Sequence, residues 1–377
     1  MRFLICKVLT FSLLTLSSCH TSKTISNLID IDQQALLAQA DKYLEETPVT
    51  ITAFPAERSA GGLHDYYSEG PYWWENPDNP EGPYIRRDGF RNPNNFTGHA
   101  NAMRKLNEYV VTLVVAYRIT GDDKYARHAL QHLQAWFVNA DTKMNPSLLY
   151  GQAIKGIVTG RGIGLIDTVK LIEVALSILE LQKTGFLKGK ELTELKDWFE
   201  AFAIWMTTHQ YGIDERDNGN NHSTWWAAQL AAYAQVADRP DLLVMAQEQF
   251  KKMLPLQMAT DGSFPEELAR TRPYGYTIYN LEAWTTLAQL ASTKNENLWT
   301  YESPKGSLRR AIDFFVPFMK DKSTWTLPPD VSGFEGQPRQ SNFLVFASQG
   351  YRDDSYLNLW RKLGKESKSR AWQLMLY

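Results

Sequence analysis

Residues 165–183 read LIDTVKLIEVALSILELQK. Their apolar side chains recur at three- and four-residue spacing (Leu165, Ile166, Val169, Ile172, Ala175, Leu179), the period of a helix with a wide buried stripe. The same period returns on both sides of this stretch. It predicts helices near 31–47, 100–119, 123–138, 165–183, 191–210, 222–237, 240–257, 277–292, 306–320, 341–349 and 354–363. Extended β patterns are scarce, so the chain reads as all-α.

The connections set the architecture. Ile119-Thr120-Gly121-Asp122, Gly185 to Lys190 and Ala237-Asp238-Arg239-Pro240 are short turns punctuated by Gly or Pro. Longer links run over 138–164, 211–221, 258–276 and 321–340. Antiparallel helices joined alternately by short and long links place the long loops at one end. Helical hairpins repeated around an axis make an (α/α) toroid, fully or incompletely closed, with an open solenoid of helix pairs as the alternative. Residues 31–377 are expected to form one such domain.

A formal net charge of -2 over 377 residues offers no basic surface for nucleic acid. Any polyanion must therefore meet a local cluster. The 12 Trp and 18 Tyr suit either sugar-stacking platforms or an aromatic-rich core. The first residues, MRFLICKVLTFSLLTLSSCH, have a short basic start and an apolar run too short to span a bilayer, the layout of a secretory leader over 1–18. Leu16-Ser17-Ser18-Cys19 resembles a bacterial lipobox, with a tether over 19–30. The expectation is an exported, periplasmic lipoprotein that touches the membrane only through a lipid on Cys19. Cys6 would leave with the leader, so neither a disulfide nor a Cys-based metal site is expected.

Unusual residues gather in the loops. One cluster runs from Tyr66 to Glu75 and on through Tyr84 to Gly89, holding Trp73, Trp74 and Arg87. A second holds Tyr150, Gln152 and Gly160-Arg161-Gly162-Ile163-Gly164. The third is Asp217 to Trp226, with Asn220-Asn221-His222 and Trp225, and the fourth is Asp261 to Tyr276, with Arg270 and Arg272. Each ends where a helix begins, so the hairpin reading brings all four to one rim.

Each motif carries two readings. Asn221 can cap a helix whose exposed N–H groups and positive dipole end hold an anion such as a sugar carboxylate, with His222 beside it to take a proton. The bland alternative is a plain cap and a structural His. A free phenol titrates near ~10, and an adjacent Arg270 would lower Tyr276 toward a reachable phenolate. Alternatively, Arg270 bonds loop carbonyls and Tyr276 packs in the core, while Tyr274 and Tyr279 are rival tyrosines. The glycine-rich run 160–164 lacks a preceding strand and a following Lys-Ser/Thr, which excludes a nucleotide loop. Its glycines would let backbone pass close to a sugar chain, with Arg161 meeting a carboxylate and Asp167 capping the next helix. Trp73, Trp74, Trp225 and Trp226 are candidate platforms, with core packing as the alternative for each. No His-Glu-x-x-His, paired His or Asp-rich loop points to a metal, and no cofactor is implied.

Taken in order, Met144-Asn145-Pro146, Tyr150 to Ile154, Gly160 to Thr168, Asn220-Asn221-His222, and Glu267 to Arg272 through Tyr276 resemble the alginate-lyase-like superfamily. Polysaccharide lyase family 5 belongs to it, and family 38, with alginate and glucuronan lyases, is nearer in pattern. The resemblance covers about residues 60–350 and implies an (α/α) toroid, an acidic polysaccharide as substrate (alginate or glucuronan) and no required metal. It matches Asn221, His222, Arg270 and Tyr276 to the family's catalytic residues. The family-5 Tyr lies seven residues beyond its Arg, whereas Arg270 to Tyr276 is six, and Arg272 to Tyr279 would restore seven. Glu267-Leu268 anchors the choice of Arg270 and Tyr276. Trp73, Trp74, Arg87, Tyr150, Gln152, Arg161, Trp225 and Arg272 are the expected substrate contacts. The implied reaction is β-elimination, with a toroid glycoside hydrolase or a non-catalytic glycan-binding lipoprotein as the rivals.

Overall fold

In the computed structural model, Ile29, residues 31–364 and residues 371–377 are described. The expected leader and Cys19 lie outside the described residues. The helices are α1 (Gln33–Tyr43), α2 (Gly98–Thr120), α3 (Asp123–Phe137), α4 (Leu171–Lys183), α5 (Gly189–Thr208), α6 (Gln210–Arg216) and α7 (Asn221–Val236). Further on come α8 (Pro240–Gln257), α9 (Pro265–Leu268), α10 (Pro273–Ala291), α11 (Leu308–Lys320), α12 (Asn342–Tyr351) and α13 (Asp354–Lys362).

Burial sorts these helices into two rings. Along α7 nearly every residue is buried, and α10, α2 and α4 are buried over most of their length. Helices apolar all round belong inside a fold. In the inner ring α2 packs on α4, α4 on α7, α7 on α10 and α10 on α12. The outer α3, α8, α11 and α13 lie against their inner partners, and α5 packs on α3 and α7. Each outer helix buries one face only, as in α11, where Leu308, Ala311, Ile312, Phe315, Val316 and Met319 turn inward. The C-terminal segment packs on α2 and α4. Trp372 packs with Leu36, Val111 and Val115, while the Tyr377 ring lies 4.8 Å from Phe346. The fold is an (α/α) toroid.

The turn after α2 shows why the hairpins reverse where they do. Gly121 at φ 69 closes α2 in the left-handed region, and the Asp122 side chain accepts the Lys124 N–H to start α3. Most reversals at this rim are short; the α10–α11 link is the long one.

The opposite rim carries loops stitched by short strands. β1 (Tyr67–Glu69) pairs in parallel with β4 (Tyr150–Ala153), and β2 (Trp73–Trp74) pairs antiparallel with β3 (Ile85–Arg86). These pairings bring the first two sequence clusters together. The glycines of the 160–164 run do a different job from the one expected of them. A Cβ on Gly160 would collide with the Leu149 carbonyl, one on Gly162 would stand 2.6 Å from the Tyr211 carbonyl oxygen, and one on Gly164 would stand 2.7 Å from the Gly151 carbonyl. They admit protein backbone (β4 and α6), not a sugar chain. Asp167 is likewise no helix cap: it lies inside a 3-10 segment, Gly162–Lys170, as a half-buried acceptor for the hydroxyls of Ser68 and Tyr66 and the Gln152 amide.

Candidate active site

The inner helices α2, α4, α7, α10 and α12 all begin at the loop-bearing rim. Thr97, Lys170, Asn221, Gly275 and Ser341, at or beside those starts, line one cleft of about 980 Å³. Each helix start turns the positive end of its dipole toward this cleft. Side chains add to this field. The walls carry eight Arg or Lys (Arg86, Arg91, Arg104, Arg161, Lys170, Arg270, Arg272, Arg339) against three acids (Glu69, Asp167, Glu282). A chain of near-neutral net charge thus concentrates positive potential in one groove, which suits a polyanion.

The start of α7 is fixed from behind. Gln257, the last residue of α8, donates its side-chain amide to the Asn220 carbonyl at 2.8 Å. Asn220, not Asn221, is the cap: its Oδ1 accepts the His222 N–H at 3.0 Å. Asn221 is instead the first helical residue, and both its backbone N–H and its Nδ2 donate to the buried Glu267 carboxylate. His222 points into the cleft with Nδ1 held 2.7 Å from Glu215 Oε1. That contact assigns Nε2 as the nitrogen facing the groove. Burial depresses the His222 imidazolium, but the carboxylates of Glu215 and Glu267 outweigh it and raise its pKa above the usual value. Glu215 is fully buried, and burial raises its own pKa despite the imidazole beside it.

Tyr276 lies in the first turn of α10. Its hydroxyl accepts from Arg270 Nη2 at 3.1 Å and shares a 2.8 Å hydrogen bond with the Tyr72 hydroxyl. The Arg270 guanidinium also covers the Tyr276 ring at 4.3 Å and is itself held by Asp88, through Nη2 at 2.9 Å and Nε at 3.3 Å. The expected lowering of the phenol does not occur. Burial, then Tyr72, pushes the Tyr276 pKa well above the ordinary phenol range, and Arg270 recovers only part of it. Tyr276 is a protonated donor at neutral pH. The rival Tyr274 is fully buried and donates to the Phe318 carbonyl at 3.0 Å, whereas Tyr279 packs its ring 5.2 Å from Trp225. Of the three tyrosines, Tyr276 is the one whose hydroxyl meets Arg270.

The expected substrate contacts divide in two. Trp73, Gln152, Arg161 and Arg272 line the cleft together with Asn221, His222, Arg270 and Tyr276. Arg161 donates to the carbonyl and side-chain oxygens of Gln152 on the cleft wall, and burial lowers its pKa to about 10. Trp74, Arg87, Tyr150 and Trp225 are not on the cleft walls. Successive strand residues face opposite ways, so Trp73 turns in while Trp74 turns out, donating to the Phe90 carbonyl beneath the Arg87 guanidinium. Tyr150 packs over Gly61, and Gln152 leaves strand alternation through a positive φ of 49. Trp225 is a core residue of α7, 6% exposed. The sequence reading missed Tyr72, Asp88, Glu215 and Glu267 as members of the constellation. Tyr72, Asp88 and Glu267 stood in loops already singled out for their composition, while Glu215 left no local signal.

A sequence model of the alginate lyase family matches residues 50–325. Among solved structures, an alginate lyase from Bacteroides ovatus superposes with a TM-score of 0.83 at 32% identity, over 92% of this chain and 92% of that one. Alginate lyase A1-III from Sphingomonas species A1 superposes at 0.55 with 15% identity, over 92% and 91%. A histidine-to-alanine variant of alginate lyase A1-III, complexed with a tetrasaccharide, superposes at 0.57 with 16% identity over 86% of each chain. At these lower identities the likeness is one of fold. A search among curated proteins finds no match.

Proposed function

The chain belongs to the alginate lyase family and is a polysaccharide lyase, and on that premise we propose that it cleaves alginate by β-elimination through Asn221, His222, Arg270 and Tyr276. The observation that carries this reading is the contact of Arg270 Nη2 with the Tyr276 hydroxyl in a cationic cleft that also holds His222.

Elimination removes the C5 proton of a uronate and expels the sugar oxygen on C4. The adjacent carboxylate is already negative, which makes that proton weakly acidic. Donors on the carboxylate spread the charge of the enolate-like intermediate, as an oxyanion hole does. Asn221 and Arg270 supply those donors. Tyr276, protonated at rest, gives its proton to the departing oxygen. His222, with Nδ1 engaged by Glu215, turns Nε2 toward the groove as the C5 base when proton and leaving group lie on opposite faces. Where they lie on one face, as in mannuronate, Tyr276 first loses its hydroxyl proton to solvent, with Arg270 stabilising the phenolate; the phenolate then takes the C5 proton and passes that same proton to the leaving oxygen, so Tyr276 serves both steps.

The test is incubation with alginate, glucuronan and a neutral glycan while ultraviolet absorbance from the new C4–C5 double bond is followed. Absorbance rising with alginate supports the reading. Reducing ends without absorbance would mean hydrolysis, which needs a pair of carboxylates across the cleft, and binding without either would mean a glycan-binding protein.

Export and lipidation belong to the same reading. Leu16-Ser17-Ser18-Cys19 supports a lipid on Cys19 and a place on the periplasmic side of a membrane. Metabolic labelling with a fatty acid should mark the chain, and Cys19→Ala should release it to the soluble fraction; an unlabelled, soluble parent would overturn this.

A further inference from the structure

Glu267 lies behind the cleft, not in it. It is 1% exposed on the short helix α9, and Asn221 stands between it and the groove. Its Oε1 accepts the Asn221 backbone N–H at 2.8 Å, and the Asn221 Nδ2 lies 2.9 and 3.0 Å from its two oxygens. One amide hydrogen aimed between the two oxygens accounts for both side-chain distances. Because an amide nitrogen is planar and carries two hydrogens, the second diverges from the first and is left over.

We infer that Glu267 is a positioning residue that fixes the polarity of the Asn221 amide, so that an N–H, and not Oδ1, meets the substrate carboxylate. The two ends of an amide are nearly identical in shape, and only their partners decide which way it points. An ionised carboxylate accepts and cannot donate, so it repels Oδ1 and selects the nitrogen. A neutral amide in its place would accept either orientation. In the wrong one, Oδ1 faces a uronate anion and weakens the transition state that Asn221 otherwise stabilises. The chemistry also explains why a charge is buried here at all. A buried carboxylate gives up its hydration, which an apolar side chain would not; accepting the Asn221 backbone N–H would need one oxygen only, and here both face the side-chain amide. Burial raises the Glu267 pKa, while the two Asn221 donors and the positive charges of Arg270 and His222 pull it back.

This inference rests on the polyuronate-lyase reading, and the experiment separates the two. Steady-state elimination on alginate is measured for the parent, Glu267→Gln, Asn221→Ala and the double variant. Glu267→Gln is expected to lower kcat at least about tenfold with KM little changed, as for loss of preorganised transition-state donors. The double variant should fall no further than Asn221→Ala alone, because both changes remove one interaction. A merely structural role would give losses that multiply. Parental kcat in Glu267→Gln, or multiplying losses, overturns the inference while leaving the lyase reading intact. A parent inactive on both alginate and glucuronan overturns the reading and the inference together. If circular dichroism shows Glu267→Gln unfolded, Glu267→Asp replaces it: the retained carboxylate still repels Oδ1, so kcat is expected to stay well above that of Asn221→Ala, and a folded Glu267→Asp as slow as Asn221→Ala overturns the inference.

Discussion

The hydroxyls of Tyr72 and Tyr276 lie 2.8 Å apart, joining a loop between β1 and β2 to the first turn of α10 across 204 residues of chain. This contact bears on protonation. Tyr72 adds to burial in raising the Tyr276 pKa, and Arg270 opposes both. Tyr276→Phe removes the proton donor and should lower kcat on the order of 10²- to 10⁴-fold. Tyr72→Phe keeps the donor and removes one cause of its high pKa. Since an acid works only while protonated, the alkaline fall in activity should begin at lower pH in Tyr72→Phe than in the parent. An unchanged alkaline limb would mean that the hydroxyl pair does not tune the acid.

The Glu215–His222 pair makes a second statement about pH. Glu215 is one of the carboxylates that hold the His222 pKa above its usual value against burial. In Glu215→Gln burial acts with less opposition, and the His222 midpoint should move down. The sign of the limb assigns the role. As a C5 base His222 must be neutral, so parental activity rises with pH through a midpoint above ~6.5, and the variant's rise comes at lower pH. As a cation on the carboxylate, activity would fall through the same midpoint instead. A pH–kcat profile that Glu215→Gln leaves in place would remove Glu215 from the mechanism.

Which features were legible in the sequence follows from the length scale of each signal. The helical stripes are local, and the prediction of 240–257 coincides with α8, while 222–237 and 123–138 each differ from α7 and α3 by a residue. α6, with seven residues, is too short for a 3.6-residue period to declare itself, so Glu215 was hidden in what read as loop. Glu267 was visible as a motif residue, but its partner lies 46 positions away and nothing in the sequence says that a carboxylate stands behind Asn221. The aromatic platforms misled for another reason. A Trp in a two-residue strand has equal chances of either face, and the alternation that separates Trp73 from Trp74 appears only once β2 is paired with β3.

Asp330 gives a stability prediction with a catalytic consequence. The start of α10 has no side-chain cap of its own; Asp330, from the loop between α11 and α12, accepts the N–H groups of Tyr274 and Gly275 at 2.9 Å each. Loss of such a cap costs about 1 kcal/mol. Asp330→Ala should lower the thermal midpoint by a few degrees and, because Tyr276 is the next residue after Gly275, should lower kcat more than KM. A full-strength kcat at a lowered midpoint would show that the first turn of α10 holds Tyr276 without this cap.

Gly160 separates two explanations of one motif. If the glycines of 160–164 served the approach of a sugar chain, Gly160→Ala would fold normally and raise KM. The packing argues otherwise: a Cβ at Gly160 meets the Leu149 carbonyl and the Tyr150 Cα, both backbone atoms that cannot swing aside. Overpacking of this kind costs about 1–3 kcal/mol and sometimes more. The strain would fall on β4, whose Gln152 contacts Arg161 and Asp167 in the cleft wall. Gly160→Ala is therefore expected to lose thermal stability and soluble yield, with activity falling in proportion to the folded fraction. An unchanged thermal midpoint together with a raised KM would instead restore the glycine run to the substrate.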